Sequence, residues 1–341
     1  MRIVVDAFGS DRCPGPDVEG AVLAARAWGD EIILVGPEDR IRTELAKHDT
    51  STLNIRIVHA PDILTMADHS DAVRQKENAS IRVGMRLVRD AEADAFVSAG
   101  NTIAILASAI FDLRRIRGIR RPALSMIYPI TFGPMVFLDM GATADPTPEI
   151  LTQFARMGVV YAEKLLGIPN PRVGLLANGE EEEKGTLVMR ETFTVLKASD
   201  MNFIGNVEPK EAVLGATDVL VTDGFTGNIH IKTAEAVASF LKRMIRGDVL
   251  GPLSSKIGLI LMIPGLIVSL PGLLLLLPGF RRLVKRLDYA EVGGGLLLGV
   301  NGVVIVGHGR SNAKAVQNAI LRAREAVIAD VVPTIRAGVA G

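Results

Sequence analysis

At 341 residues the chain has enough length for one large or two ordinary domains, and for a core that needs no disulfide or metal staple. Its 48% apolar and 22% charged residues are ordinary globular usage, which excludes a disordered chain, and 38 Lys and Arg against 38 Asp and Glu leave no overall basic excess for nucleic acid. The single cysteine, Cys13, excludes an intrachain disulfide and paired-cysteine metal sites, and Asp6 and Asp11 interrupt the apolar stretch that an export signal needs, so a reducing, cytoplasmic setting is expected.

Short runs rich in Val and Ile alternate with longer stretches of helical period, the pattern of strand–helix units around a mainly parallel sheet. In chain order the runs are 3–5, 32–35, 55–58, 95–97, 135–138, 173–176, 219–221 and 303–306. Four of the eight are followed directly by Gly or Asp, and two more reach Asn178 or Asp223 one residue further on. Ligands of doubly wound sheets bind beyond the carboxyl ends of strands, so chemistry is sought in those loops, although tight turns alone also call for Gly and Asn. No Ser- or Pro-rich linker divides the chain, which reads as a single large α/β catalytic domain over 1–341 with one excursion at 248–287. Within it, Ile257 to Phe280 carry no charge, and Pro-Gly recurs at 264–265, 271–272 and 278–279. Each interior proline costs a helix about 3 kcal/mol, so a bent hairpin fits better than a spanning helix. Between Lys242 and Arg286 eight Lys and Arg face the single acid Asp248. A greasy segment bracketed by cations suits an anionic membrane surface; a buried hairpin or a dimer contact are the alternatives.

The loops follow in order. In VVDAFGSD, Asp6 closes the first strand and Gly9 follows. This turn lacks G-x-G-x-x-G, so a dinucleotide site has no support there. In FVSAGNTIA, Ser98 to Thr102 lead into an apolar helical run that Asn101 or Thr102 can cap, with Gly100 bringing the chain close to an anion at the helix start. Asp139 and Gly141 repeat the arrangement in LDMGAT. In LLANGEEEEKGT, the acids Glu180 to Glu183 read as a solvated face, but Lys184 stands beside a glycine in a strand-derived loop that begins with Asn178 and Gly179. VTDGFTGNIHIKT offers Asp223, Gly224, Thr226, Gly227 and Asn228, with Lys232 one helical turn on; it is the first choice for an anionic ligand. VGHGRSNAK places His308 between two glycines after the last run. There is no G-x-S-x-G elbow, P-loop or H-E-x-x-H, and Cys13 has no His in its loop and reads as an incidental thiol.

Taken together, DAFGSD, VSAGNT, LDMGAT, QFARMG, NGEEEEKG, NFIGNVE, DGFTGN and AEVGGGLLLGVNGVVIVGHGRSNAKA resemble the acyl-carrier-protein-dependent phosphate acyltransferases of bacterial phospholipid synthesis, over residues 1 to about 326. The resemblance implies an α/β fold with a mainly parallel sheet flanked by helices, similar to that of isocitrate and isopropylmalate dehydrogenases and phosphotransacetylase, without their metal or nicotinamide. It implies transfer of a long-chain acyl group from acyl-acyl-carrier protein to inorganic phosphate, with no cofactor. A homodimer, attached peripherally to the inner face of the cell membrane and passing its product to a membrane-bound glycerol-3-phosphate acyltransferase, is implied too. Phe8, Ser10, Arg12 and Cys13 stand where the family pattern has Met, Gly, His and Ala; Ile103 replaces a Gly and Thr143 an Asn. Ile103 bears on acyl range, because a branched side chain near the mouth of a site narrows it. The alternatives are a short-chain acyl-coenzyme A:phosphate acyltransferase of the phosphotransacetylase kind, and a non-catalytic membrane-associated scaffold.

Phosphate is already nucleophilic near neutral pH and a thiol of pKa ~8.5 leaves readily, so the protein has to position and neutralise rather than form a covalent intermediate. Lys184 and Lys232 are the expected cationic contacts, Asn101, Asn178, Asn206 and Asn228 the neutral donors, and His308 the proton donor to the thiol. Asp6, Gly9, Ser98, Gly100, Thr102, Asp139, Gly179, Asp223, Gly224, Thr226 and Gly227 are expected around the substrate. No metal site is expected.

Overall fold

The structure is a computed structural model that describes residues 1–68, 70–128, 132–244 and 293–339. The predicted excursion at 248–287 lies outside the described residues. The chain begins β1 (Arg2–Asp6), α1 (Gly15–Trp28), β2 (Glu31–Gly36), α2 (Glu38–Leu45), β3 (Ile55–His59), α3 (Ser70–Gln75), α4 (Ser80–Arg89), β4 (Ala95–Ser98) and α5 (Thr102–Ser108), which passes into a π-helical turn over 109–113. A second set follows: β5 (Ala123–Ile127), β6 (Val136–Leu138), α6 (Pro148–Leu165), β7 (Val173–Leu176), α7 (Leu187–Lys197), β8 (Phe203–Val207), α8 (Pro209–Val213), β9 (Val219–Val221) and α9 (Gly224–Met244). The chain then returns to the first set with β10 (Gly295–Leu298), β11 (Val303–Val306), α10 (Ala313–Ile328) and α11 (Val331–Val339).

The strands form one sheet in the order β3-β2-β1-β4-β11-β10-β5-β6-β9-β7-β8. Seven of its ten pairings are parallel; β11–β10, β10–β5 and β5–β6 are antiparallel. Central strands such as β4 (AFVS) and β11 (VVIV) are buried along their whole length, because helices cover both faces. One core lies under α1, α6, α7 and α10, a second under α4 and α5, and a third, around Tyr128, Phe137 and Leu220, under α8 and α9. Among the described residues no helix is long and apolar enough to cross a membrane.

The antiparallel centre has a topological consequence. Strands β3, β2, β1, β4 and β11 run one way, and β6, β9, β7 and β8 run the other. The carboxyl ends of the two parallel sets therefore open at opposite edges of the sheet, so the strand-end loops expected around one substrate are divided into two groups.

Candidate active site

At the first edge the β1 turn, the β4–α5 turn and the loop after β11 are locked together. Asp6 is buried; its carboxylate accepts from Ser98 Oγ at 2.7 Å and from the Phe8 amide at 3.1 Å, and burial pushes its pKa up. Gly9 is required sterically: a Cβ there would lie 2.8 Å from the Ala99 nitrogen. Asn101 caps α5 as expected, accepting from the Ile103 and Ala104 amides, and its Nδ2 donates to the carbonyls of Thr65, Met66 and Asp68. Its hydrogen-bonding capacity is spent inside the fold, which removes it from the free donors expected. The Gly100 amide is likewise bonded to Ser98 Oγ. Thr102 opens α5 half-buried, and the neighbouring Ile103 is exposed. Ser10 is buried against Asp17, with Oγ donating at 2.5 Å, and Phe8 fills the space over Gly36 with the Arg40 guanidinium above its ring, so these departures from the family pattern are core contacts. Asp11 N–H binds Gly309 O at 2.7 Å, joining this turn to the loop of His308, whose Nδ1 accepts from the Arg310 amide. That bond leaves Nε2 as the protonated nitrogen of the neutral ring.

At the second edge Asp139 is fully buried, and its carboxylate collects the amides of Leu124, Gly141, Ala142 and Thr143 at 2.6–3.2 Å. Burial pushes its pKa up to about 6 against those four donors. The start of α9 is pressed onto this turn: Gly224 N–H binds Thr143 O at 2.8 Å, and a Cβ on Gly227 would fall 1.9 Å from Asp139 O. Asp223 caps the helix through the Thr226 amide at 2.7 Å, and its carbonyl takes the Gly227 amide. The glycines of DGFTGN thus serve close packing, and three of the amides expected to face an anion are bonded internally. Asn228 lies over Gly141, and Lys232, four residues on, shares that exposed face of α9.

The opposite face of α9 forms one wall of a cleft of about 920 Å³. Its floor and far wall come from Leu176, Met189 and Val213, and the α9 wall from Ile229, Ala234, Val237 and Leu241. At the mouth stand Asn178, Gly185, Thr186, Glu208, Asp223 and Thr226. The Asn178 side chain accepts from the Gly185 amide at 3.2 Å, which folds the Glu180–Lys184 loop back on itself; Gly179 allows Lys184 to cross it, and Arg190 braces the loop carbonyls of Glu183 and Gly185. Lys184 is exposed and 4.0 Å from Glu181. Asn206 sends Nδ2 to Glu181 O at 2.7 Å, while its Oδ1 is buried without a partner. Sequence reasoning missed Thr222, a residue of the cleft wall whose hydroxyl is buried beside it with no partner, and the pair Tyr128–His230, hydrogen-bonded at 3.0 Å in the same wall. Burial lowers the His230 pKa and pushes Tyr128 up to about 12, keeping both neutral. The signal for Thr222 was one residue away, in the polar end of the run VLVTD.

The cleft is therefore lined by Asn178, Asp223 and Thr226 among the expected residues, with Gly179 and Lys184 in the adjoining loop and Asn206 behind that loop. It does not gather Asn228 and Lys232, which face away from it, nor Asp6, Gly9, Ser98, Gly100, Asn101, Thr102 and His308, which belong to the other edge. Asp139, Gly224 and Gly227 support it from beneath. Among the described residues no group of three or more His, Cys, Asp or Glu could hold a metal ion.

The α/β fold is shared with solved structures of phosphate-linked acyltransferases. A phosphotransacetylase from Streptococcus pyogenes superposes with a TM-score of 0.60 over 97% of this chain and 94% of its own at 18% identity, and a branched-chain phosphotransacylase from Enterococcus faecalis with 0.57 over 96% and 99% at 15%. Residues 1–334 match the family described as Fatty acid synthesis protein, and the chain belongs to it. Relatives named phosphate acyltransferase include those of Herpetosiphon aurantiacus, 49% identical over 98% of this chain and 96% of its own, and of Geobacter sulfurreducens, 44% identical over 96% and 91%. The chain is an acyltransferase of this family.

Proposed function

We propose that this acyltransferase moves a long-chain acyl group from acyl-acyl-carrier protein to inorganic phosphate, giving the acyl phosphate used in phospholipid synthesis. The observation that carries the reading is the cleft: polar at its mouth, apolar along its depth, and about 920 Å³ in volume. That is the size of sites that enclose drug-sized ligands, and far more than an acetyl group fills. This disfavours the short-chain coenzyme A alternative, and the orphaned Thr222 hydroxyl at the cleft wall disfavours an inert scaffold.

In this reading the acyl chain lies against Ile229, Val237 and Leu241, and the thioester rests at the mouth. Lys184 and the Asn178 amide hold phosphate, and the Thr222 and Thr226 hydroxyls donate to the thioester oxygen as negative charge develops there. A phosphate oxygen forms the new C–O bond, the C–S bond breaks, and the sulfur leaves as a thiolate that takes a proton from water. Exposed Phe225, Phe240 and Met244 on α9 support a homodimer contact, and the uncharged stretch 257–280 with its flanking arginines supports release of product at an anionic membrane surface.

The test is a chain-length series. Each methylene buried in the cleft contributes about 0.8 kcal/mol, roughly fourfold in kcat/KM, until the cleft is full. Phosphate-dependent release of free carrier thiol should rise by that step from short to long acyl donors. Equal kcat/KM for two-carbon and long-chain donors, or no phosphate dependence, would sink the proposal.

A further inference from the structure

Five arginines, Arg114, Arg115, Arg117, Arg120 and Arg121, fall within eight residues of a chain whose net charge is zero. All five are exposed on the loop that joins the π-helical turn to β5. The loop is held rigidly from behind. Ile116 and Ile119 are buried in the core, Arg82 grips Asp112 with two bonds of 2.9 Å, Asn301 binds the Arg114 and Arg115 carbonyls, and Gln153 spans the Gly118 carbonyl and Arg120 amide. Arg114 has φ 65° and ψ 164°, a combination nearly confined to glycine. An arginine stands where the backbone asks for glycine, and surrounding hydrogen bonds hold it there. Arg120 pairs with Glu149, whereas Arg114, Arg117 and Arg121 make no ion pair with any described residue. The loop also leads to the reaction mouth: Leu124 N–H binds Asp139, Thr143 Oγ1 reaches Pro122 O at 3.4 Å, and Thr143 O holds the start of α9.

We propose that Arg114, Arg117 and Arg121 form the docking surface for the acidic carrier protein that presents the acyl thioester. The inference rests on the acyl-transfer reading above and names the place on the chain where its donor is recognised. Guanidinium groups on a rigid frame suit the carboxylates of a folded acidic partner, and uncompensated surface charge speeds and orients encounter. A lipid surface is the weaker match, because the apolar residues of this loop point into the core and none is available for insertion.

The experiment compares the wild-type chain with the triple variant Arg114→Ala, Arg117→Ala, Arg121→Ala on two donors, acyl-acyl-carrier protein and the carrier-free acyl-pantetheine. The triple variant should raise KM for the carrier-linked donor at least tenfold at unchanged kcat, and leave acyl-pantetheine turnover within twofold. An unchanged carrier KM overturns the proposal. So does an equal rise for both donors, and so does loss of binding to phosphatidylglycerol vesicles with carrier KM intact, which would assign the patch to lipid. Binding of the unloaded carrier, followed by NMR titration, is read without turnover. If the wild type binds carrier through these arginines yet transfers no acyl group, the docking surface stands and the acyl-transfer reading falls. Arg114→Gly should raise the melting temperature while weakening carrier binding; a lowered melting temperature with carrier binding unchanged counts against the assignment.

Discussion

Replacing Thr222 with Val separates a catalytic hydroxyl from a structural one. Thr222 is 1% exposed, sits at the end of β9, and its Oγ1 has no hydrogen-bond partner, although the backbone on either side is fully engaged through Leu138 O and the Asp139 amide. A buried hydroxyl left without a partner costs about 1–3 kcal/mol. Valine keeps the branched shape and removes that cost, so the variant should be more stable by about 1 kcal/mol, a rise of about 1–2 °C in melting temperature for a chain of 341 residues. If the hydroxyl is aimed at the developing oxyanion, its loss should lower kcat about ten- to hundredfold, somewhat below the effect of deleting an oxyanion-hole donor. Calorimetry gives the first quantity and thiol release at saturating phosphate the second. A lower melting temperature would mean that the hydroxyl has a structural partner, and a higher one with unchanged kcat would mean that it does not meet the substrate. Either result refutes the reasoning.

Lys184→Ala and Lys232→Ala should both fold normally, since both side chains are exposed, and Lys184→Ala should raise the phosphate KM about tenfold; normal phosphate KM in both would move the anion to other residues. Asp17, pushed up to about 7 by burial, keeps its proton in the folded chain while the unfolded chain loses it near pH 4, so stability should fall as pH rises from about 4 to 7 and then level off. Asp17→Asn should flatten that slope in urea titrations, because the amide can still accept from the Ser10 amide and donate to its hydroxyl; an undiminished slope would place the titration elsewhere. Leu274→Asp with Leu276→Asp should weaken binding to anionic vesicles without reducing turnover of soluble carrier-linked donor, and sedimentation with vesicles as strong as in the wild type would remove the membrane proposal.

The sequence made most of the parallel strands legible because helices cover both faces and leave continuous apolar runs: each of the eight runs read from 3–5 to 303–306 coincides with a strand. The three strands it did not show are β5 (ALSMI), β8 (FIGNV) and β10 (GLLL), in which Ser125, Gly205 and the glycines before Leu296 break the pattern. Two of those, β10 and β5, are the ones that reverse the sheet direction, so the division of the loops between opposite edges was hidden with them. Individual site residues were legible by type and not by task. Asn101 was read correctly as a cap, but nothing local shows that its amide also closes the 65–68 loop. Gly224 and Gly227 read as room for an anion, and the occupant of that room is the Asp139 turn, far upstream in the chain. Thr222, Tyr128 and His230 come together only through packing of α9 on the sheet.

The fastening of α9 bears on how acyl selectivity can change. Among the described residues the helix is pinned near its start, where Gly224 and Gly227 meet the Asp139–Thr143 turn and His230 bonds Tyr128, and from Gly224 it extends 21 residues, about 31 Å. Any tilt of the helix would therefore have its fulcrum at the reacting end. A tilt of about 5° leaves the mouth in place and carries the far end by about 3 Å at 1.5 Å rise per residue. The depth of the groove is thus adjustable from the fulcrum, by side chains that never touch the acyl chain, while the reacting atoms stay where they are.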